Sequence, residues 1–408
     1  MSLWAVPPST TLRVLMLSPY FLPAEHGGGS VRATYNLCQH MRSHINFVVA
    51  ARDHDLNGMS SFDEAARAQA RHATGLDIRY LPSGLPGAFA MRQLLREPFD
   101  LIYLNSLMAP DMALLPLYLL RKRGSPPILV APRGELLPGA LAQRPLAKRA
   151  YLALLKAMGL PKGAHFHATS ADEAASIQAT LGAHAAVHIA ADLPPLTATA
   201  SVAQIPSARA PGPLRVLFLS RIDPIKNLGF ALDVLAQVNA EVEFSIAGPI
   251  GHAGVWADCQ QRMHRLPRQV RARYLGAVPH AQVCELLSSY DLLFLPTLGE
   301  NHGYVVLEAL SAGCAVLLSD RTPWRDLVAL GVGADLPLND AQAFVGILMA
   351  QAAMTDTERL AQRARCQAHA HRHLRADAAA AATRTMFEAA AQPKARIPTT
   401  SAGQSGGR

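Results

Sequence analysis

Short apolar, β-branched runs alternate along the chain with stretches whose apolar residues recur every three or four positions, the pattern of parallel sheets covered on both faces by helices. The runs Leu12–Leu17, Asn46–Ala50, Leu101–Leu104, Ile128–Ala131 and His165–Ala168 predict strands, and Val31–Met41, Leu141–Met158 and Asp172–Thr180 predict helices. After Val187–Ala190 the pattern stops. From Asp192 to Pro213 the chain is rich in Pro, Ala, Ser and Thr without any period, which predicts an interdomain linker at 196–213. The pattern then restarts, Arg215-Val-Leu-Phe-Leu-Ser220 repeating Arg13-Val-Leu-Met-Leu-Ser18 almost letter for letter. Strands follow near Val242–Ala247, Leu292–Leu295 and Ala315–Leu318, and helices near Leu228–Val238, Gly303–Ser311 and Ala341–Met349. The organisation expected is a first domain at 1–195, a second at 214–372, a helix at 373–391 returning to the first domain, and a frayed tail at 392–408.

With 408 residues, 50% of them hydrophobic and 17% charged, the chain exceeds the ~150 residues of one domain and is too apolar for global disorder. Neither end reads as a signal sequence, and no apolar stretch approaches the roughly 20 residues that span a bilayer. The expected location is the cytoplasm, at the inner face of the membrane if the basic segment described next contacts lipid. Five cysteines without C-x-x-C spacing read as reduced, mostly buried thiols.

The net charge of +8 resides between Leu120 and His165, where nine Lys or Arg stand against Glu135 alone. Such a concentration suits a polyanion, an anionic membrane surface or a phosphorylated substrate, or is simply a solvated helix face; nucleic acid is not an expected partner. Within it Leu146, Ala150, Leu154 and Met158 recur at helical spacing beside Arg144, Lys148, Arg149 and Lys156, as in a helix resting on an anionic bilayer.

Ligands of doubly wound sheets lie beyond the carboxyl ends of the strands, so the loops there carry the candidate chemistry. The loop after Leu17 runs through Gly27-Gly28-Gly29 into a helix; its amides can approach a phosphate closely, although a flexible turn has the same composition. The loop after the second half's first strand holds Arg221 and Lys226 on either side of a Pro turn, placed to converge on one diphosphate or to sit as a surface pair. The sharpest segment is Gly299-Glu300-Asn301-His302-Gly303 followed by a helix containing Glu308. At ~1.5 Å per helical residue its two carboxylates stand on the order of 10 Å apart, able to hold hydroxyl-bearing groups on either side of a diphosphate. The amides of Asn301, His302 and Gly303 add positive potential between them.

Arg221, Lys226 and the pair Glu300 and Glu308 together resemble the pattern of glycosyltransferase family 4, whose members carry E-x7-E in the second domain. The helix end Ala309-Leu-Ser-Ala-Gly313-Cys is similar as well, and the resemblance covers nearly the whole chain, most strongly Arg215 to Trp324. It implies the α/β GT-B fold: two Rossmann-like domains with doubly wound parallel sheets, facing each other across a cleft. It implies an enzyme that moves a sugar, with retention, from a UDP- or GDP-sugar to a glycan or lipid-linked acceptor, with no cofactor and no metal. Arg221 and Lys226 would hold the donor diphosphate and neutralise the leaving group, Glu300 would contact the donor sugar, and Glu308 the ribose hydroxyls. Gly28 and Gly29 would face the diphosphate, and Asn301, His302 and Gly303 would complete the donor site.

One departure matters: where many members have a catalytic-site His after a first-domain strand, this chain has Pro132-Arg133-Gly134-Glu135. With Pro138-Gly-Ala-Leu141 following, this stretch looks like a subgroup of bacterial polysaccharide and lipopolysaccharide glycosyltransferases, and Arg133 and Glu135 become candidates for the missing role. A sugar-nucleotide epimerase lacks the Arg, Lys and E-x7-E set, a glycogen-type phosphorylase is far longer, and a sugar-binding protein needs nothing aimed at a diphosphate. Asp53-His54-Asp55 has the spacing of a metal-binding D-x-D, but its surroundings do not match the other glycosyltransferase fold; His165 and His167 share one strand face without a third ligand; and His369, His371 and His373, without H-E-x-x-H, read as a solvated helix face.

Overall fold

The computed structural model describes residues 11–24, 28–56, 58, 60–121, 124–160, 162–196, 212–374 and 376–392. Gly27, most of the expected linker and nearly all of the expected tail lie outside the described residues.

The first domain runs β1 (Leu12–Ser18), α1 (Gly29–Met41), β2 (Ile45–Arg52), α2 (Glu64–Thr74), β3 (Asp77–Leu81), α3 (Gly84–Leu94), β4 (Leu101–Leu104), a π-helical turn (Pro110–Leu114) leading into α4 (Leu115–Leu119), β5 (Ile128–Val130), α5 (Pro138–Leu141), α6 (Pro145–Ala157), β6 (His165–Ala168), α7 (Ala171–Leu181) and β7 (Ala186–Ile189). Its strands form one parallel sheet in the order β3-β2-β1-β4-β5-β6-β7, with Leu15 of β1 opposite Val48 on one side and Ile102 on the other. Alternate residues of β1 enter different cores. Leu15 and Leu17 join Ile102 and Leu104 on one face, while Val14 and Met16 join Phe47 and Tyr103 on the other, so the run Val14–Leu17 is apolar on both faces.

The second domain continues with β8 (Leu214–Leu219), α8 (Leu228–Leu235), β9 (Val242–Ala247), α9 (Ala253–Met263), β10 (Val270–Gly276), α10 (His280–Ser288), β11 (Leu292–Leu295), α11 (Tyr304–Ser311), β12 (Ala315–Ser319), β13 (Gly333–Leu336), α12 (Ala341–Ala352), α13 (Asp356–His373) and α14 (Asp377–Ala391). Its sheet, also parallel, has the order β10-β9-β8-β11-β12-β13. In both sheets the strand order reverses beside the first strand, which opens a crevice at the carboxyl ends of β1 and β8. α14 packs on the first domain, where Phe387 is fully buried with its ring 5.8 Å from Phe47 and 5.4 Å from Tyr103.

The helix expected at Leu141–Met158 starts instead at Pro145, because α5 ends at Leu141. A residue preceding proline is disfavoured in the right-handed helical region; Arg144 instead takes φ 50° and α6 restarts at Pro145. The exposed side of α6 also differs from a simple core helix. Leu152 and Leu155 are buried, whereas Leu146 and Leu154 are 79% and 46% exposed alongside Arg149 and Lys156.

Candidate active site

The loop after β8 is stitched to the loop after β11. Asp223 accepts a hydrogen bond from the amide of Ile225 (3.2 Å), shaping the turn Pro224–Lys226, and Asn227 leaves it at φ 58° while donating to the carbonyl of Pro296 at 3.0 Å. The carbonyl of Ile225 in turn accepts from the amide of Leu298 (2.7 Å) and the hydroxyl of Thr297 (2.9 Å). This places Lys226 against the first acid of the E-x7-E segment, its Nζ 2.5 Å from Oε2 of Glu300. Arg221 lies on the same wall with Nε 3.6 Å from Asp223. The next loop yields space to it, for a Cβ at Gly251 would stand 2.8 Å from the Arg221 side chain.

Gly303, at φ 77°, turns the chain into α11, and the indole of Trp324 holds that turn by donating to the carbonyl of His302 at 2.8 Å. The helix then carries Glu308 to the far side of the cleft. There burial pushes the Glu308 carboxyl up, against the opposing charge of Arg32, which reaches across from α1 to bond it.

The facing wall comes from the first domain. Gly28, at φ 67°, opens α1 without an acidic residue in its first turn, so no carboxylate of that turn offsets the positive end of the helix dipole that borders the cleft. The domains touch where side chains are missing: a Cβ at Gly139 would come within 2.3 Å of the Leu298 carbonyl, and one at Gly134 within 3.1 Å of the Asn301 side chain. The cleft so enclosed measures about 600 Å³ and is lined by Gly28, Gly29, Arg133, Glu135, Arg221, Lys226, Glu300, Asn301, His302, Gly303 and Glu308. Such a volume suits a small organic ligand.

Arg133 and Glu135 reach this cleft, each held by several partners of the first domain. All three guanidinium nitrogens of Arg133 are engaged: Nε by Asn105 (2.7 Å), one terminal nitrogen by Tyr103 (2.9 Å) and the other by Asp192. Burial pushes the Asp192 carboxyl up, but the guanidinium outweighs this and holds it below the usual carboxylate range. Glu135 accepts from the Ser106 hydroxyl (2.6 Å) and the amides of Leu107 (2.7 Å) and Met108 (3.0 Å), so both its oxygens are used within the first domain. Both side chains are thus held by partners within the first domain while lining the cleft.

Three polar atoms of the lining are buried without a hydrogen-bond partner among the described residues: Nε2 of His302, Oδ1 of Asn301 and Nε2 of Gln143. Buried polar groups are otherwise almost always paired, so these are the groups a hydroxyl-rich ligand would satisfy. Burial pushes the His302 imidazole below its ordinary pKa in spite of Asp192 and Glu300 nearby, which leaves it neutral at pH 7. Gln143, Asp192 and Arg32 escaped sequence reasoning because no spacing ties them to the loops they meet.

No group of three or more His, Cys, Asp or Glu among the described residues is placed to hold a metal ion. Asp53 is bonded to Ser61 (2.6 Å) and His54 (3.0 Å), and His167 to Tyr103 (2.8 Å) and the carbonyl of Ala190 (2.8 Å).

Comparison with known proteins gives matches to both halves. A family model described as glycosyl transferases group 1 matches residues 213–350, and one described as a glycosyl transferase 4-like domain matches residues 28–190. The phosphatidyl-myo-inositol mannosyltransferase of Mycolicibacterium smegmatis is 34% identical over 143 residues, 33% of this chain and 36% of that protein. Glycogen synthase of Mycobacterium tuberculosis is 29% identical over 163 residues, 38% of each chain. The matches thus span little more than a third of these curated relatives. Among solved structures, Anabaena HepE in complex with UDP and glucose superposes with a TM-score of 0.68 at 17% identity, covering 93% of this chain and 99% of that one. WaaG, a glycosyltransferase involved in lipopolysaccharide biosynthesis, gives 0.63 at 14% identity, covering 90% and 98%. At such identities the likeness is one of fold: two facing doubly wound domains.

Proposed function

Because the chain belongs to the family 4 glycosyltransferases, we propose that its cleft transfers a sugar, with retention, from a UDP- or GDP-sugar to a lipid-linked precursor of a polysaccharide or lipopolysaccharide. The observation that carries this reading is the wall formed by Arg221, Lys226 and Glu300, with Lys226 held 2.5 Å from Glu300, facing the glycine-led N-terminus of α1. A diphosphate between them meets two side-chain cations on one side and helix amides on the other. As Lys226 turns to the phosphate, Glu300 is released to accept a hydroxyl of the transferred sugar.

In the reaction the bond from the anomeric carbon to the diphosphate oxygen breaks while the acceptor oxygen bonds to that carbon from the same face. The acceptor's proton passes to the departing diphosphate. Arg221 and Lys226 stabilise the charge developing there, so the first domain has no need of a dedicated base. Incubation with a panel of UDP- and GDP-sugars should release UDP or GDP, slowly to water and faster to an added lipid-linked glycan; release of neither from any donor would refute the reading. Since side chains and helix amides supply the positive charge, turnover should persist in excess EDTA. Complete loss of turnover, restored by Mn²⁺, would contradict this.

The acceptor's lipid character is supported by α6. No helix among the described residues is long and apolar enough to cross a membrane. α6 instead offers Leu146 and Leu154 to solvent beside Arg149 and Lys156, while Lys148 turns inward to the carbonyl of Ala140 at 2.6 Å. Each such cation near an anionic surface contributes about 1 kcal/mol, and exposed apolar residues can enter the headgroup layer. The protein should co-sediment with anionic vesicles at low salt and release as screening increases. Arg149→Ser with Lys156→Ser should abolish that binding, and salt-insensitive binding, or none to anionic vesicles, would return α6 to a solvated helix.

A further inference from the structure

Arg32 sits in the first turn of α1, where a helix disfavours positive charge and where this helix has no acid to offset it. Its guanidinium leaves the first domain altogether and bonds Oε1 of Glu308 on α11, across the cleft. The same oxygen lies 3.0 Å from Nε2 of His280 on α10, a helix that also brings Cys284 near the carboxylate. Oε2 of Glu308 has no hydrogen-bond partner among the described residues. The carboxylate is thus pinned by one oxygen and offers the other. The Arg32 and Glu308 side chains remain 31% and 22% exposed, so both border the open space of the cleft.

We propose that Arg32 is a positioning residue for the nucleotide ribose: it fixes Oε1 of Glu308 so that Oε2 faces the ribose hydroxyls, and because it comes from the opposite domain, that subsite is complete only when the two domains are together. The proposal rests on the reading of Glu308 as the ribose acceptor. Without Arg32 the carboxylate loses the charge that opposes its desolvation and the stronger of the two contacts on Oε1, leaving His280 alone to hold that oxygen. A rotating or protonated carboxyl accepts hydroxyl bonds poorly, while the diphosphate contacts of Arg221 and Lys226 are untouched. Arg32 therefore acts on the ribose through Glu308, and the signature of that role is a change in ribose discrimination.

The test is the binding of UDP and GDP and of their 2′-deoxy and 3′-deoxy counterparts to the full chain, as wild type, Arg32→Ala, Arg32→Lys and Glu308→Ala. Hydrogen bonds to a charged group are strong enough for the wild type to prefer a ribonucleotide by roughly 10- to 100-fold. That preference should fall to within about threefold in Arg32→Ala and Glu308→Ala, return in part in Arg32→Lys, and leave binding of the deoxynucleotides unchanged. An undiminished preference in Arg32→Ala overturns the proposal while the Glu308 reading stands. Equal weakening of ribo- and deoxynucleotides overturns it in favour of a direct contact with the diphosphate. A preference that survives Glu308→Ala, or a wild type that binds neither nucleotide, overturns the ribose reading and the proposal with it.

Discussion

Lys226→Ala is expected to lower turnover by roughly 10²- to 10³-fold, the usual loss on removing one group aimed at charge that develops in the transition state, and Arg221→Ala by a similar factor. The two cations differ in how they are held. Lys226 is bound to Glu300 with only 19% and 16% of the two side chains exposed, so its removal also leaves a half-buried carboxylate unpaired. Arg221 is 37% exposed and only loosely tied to Asp223 at 3.6 Å, so its removal should cost charge on the diphosphate and little else. The Arg221→Ala variant should therefore melt like the wild type, and single-turnover kinetics should place its defect in sugar transfer. Near-wild-type turnover in both variants would remove the diphosphate assignment.

The second large effect concerns stability. Arg133 and Asp192 are 8% and 5% exposed, and breaking such a buried pair from one side leaves an uncompensated charge, at a cost of about 3–5 kcal/mol. Arg133→Met should lower the urea midpoint accordingly, whereas Arg133→Met combined with Asp192→Leu should recover most of the loss, because no charge is then left behind. The pair also sets an acid limit. Asp192 titrates below its ordinary value of 3.8 in the folded protein, so its contribution is complete above that pH and disappears as pH falls through the depressed folded value. Denaturation below pH 4 should be correspondingly less steep in the doubly apolar variant. A single substitution that is as stable as the double would contradict this account.

Which parts of the molecule could be read from its sequence follows from where burial falls. Val14–Leu17 and Leu292–Leu295 lie in central strands covered on both faces, and their continuous apolar runs mark them without ambiguity. The strands that leave no such run lie at sheet edges. β3 reads Asp77-Ile-Arg-Tyr-Leu and β10 reads Val270-Arg-Ala-Arg-Tyr, each with alternate residues turned to solvent, while β13 has only four residues. The break at Arg144 was written in Pro145 but masked by the apolar period running through it.

The same division holds at the site. Arg221 with Lys226, and Glu300 with Glu308, each sit at a short fixed spacing, so each pair is legible locally, and the adjacency of β8 and β11 then brings the two pairs together across 74 residues. Arg32, Gln143 and Asp192 belong to the cleft only because two domains meet, with 276 residues separating Arg32 from the acid it holds. Arg133 sits in a loop legible from the sequence, but the Asp192 paired with it lies 59 residues away.

The most direct test of the central claim is calorimetric titration of the full chain with UDP and with GDP, for wild type and Lys226→Ala in parallel. One nucleotide should bind the wild type at micromolar concentration and bind Lys226→Ala at least about tenfold more weakly, as expected for a lost charge-assisted contact to phosphate. Binding of neither nucleotide up to millimolar concentration, or equal affinity in the two proteins, would contradict a donor diphosphate held between Arg221, Lys226 and the N-terminus of α1.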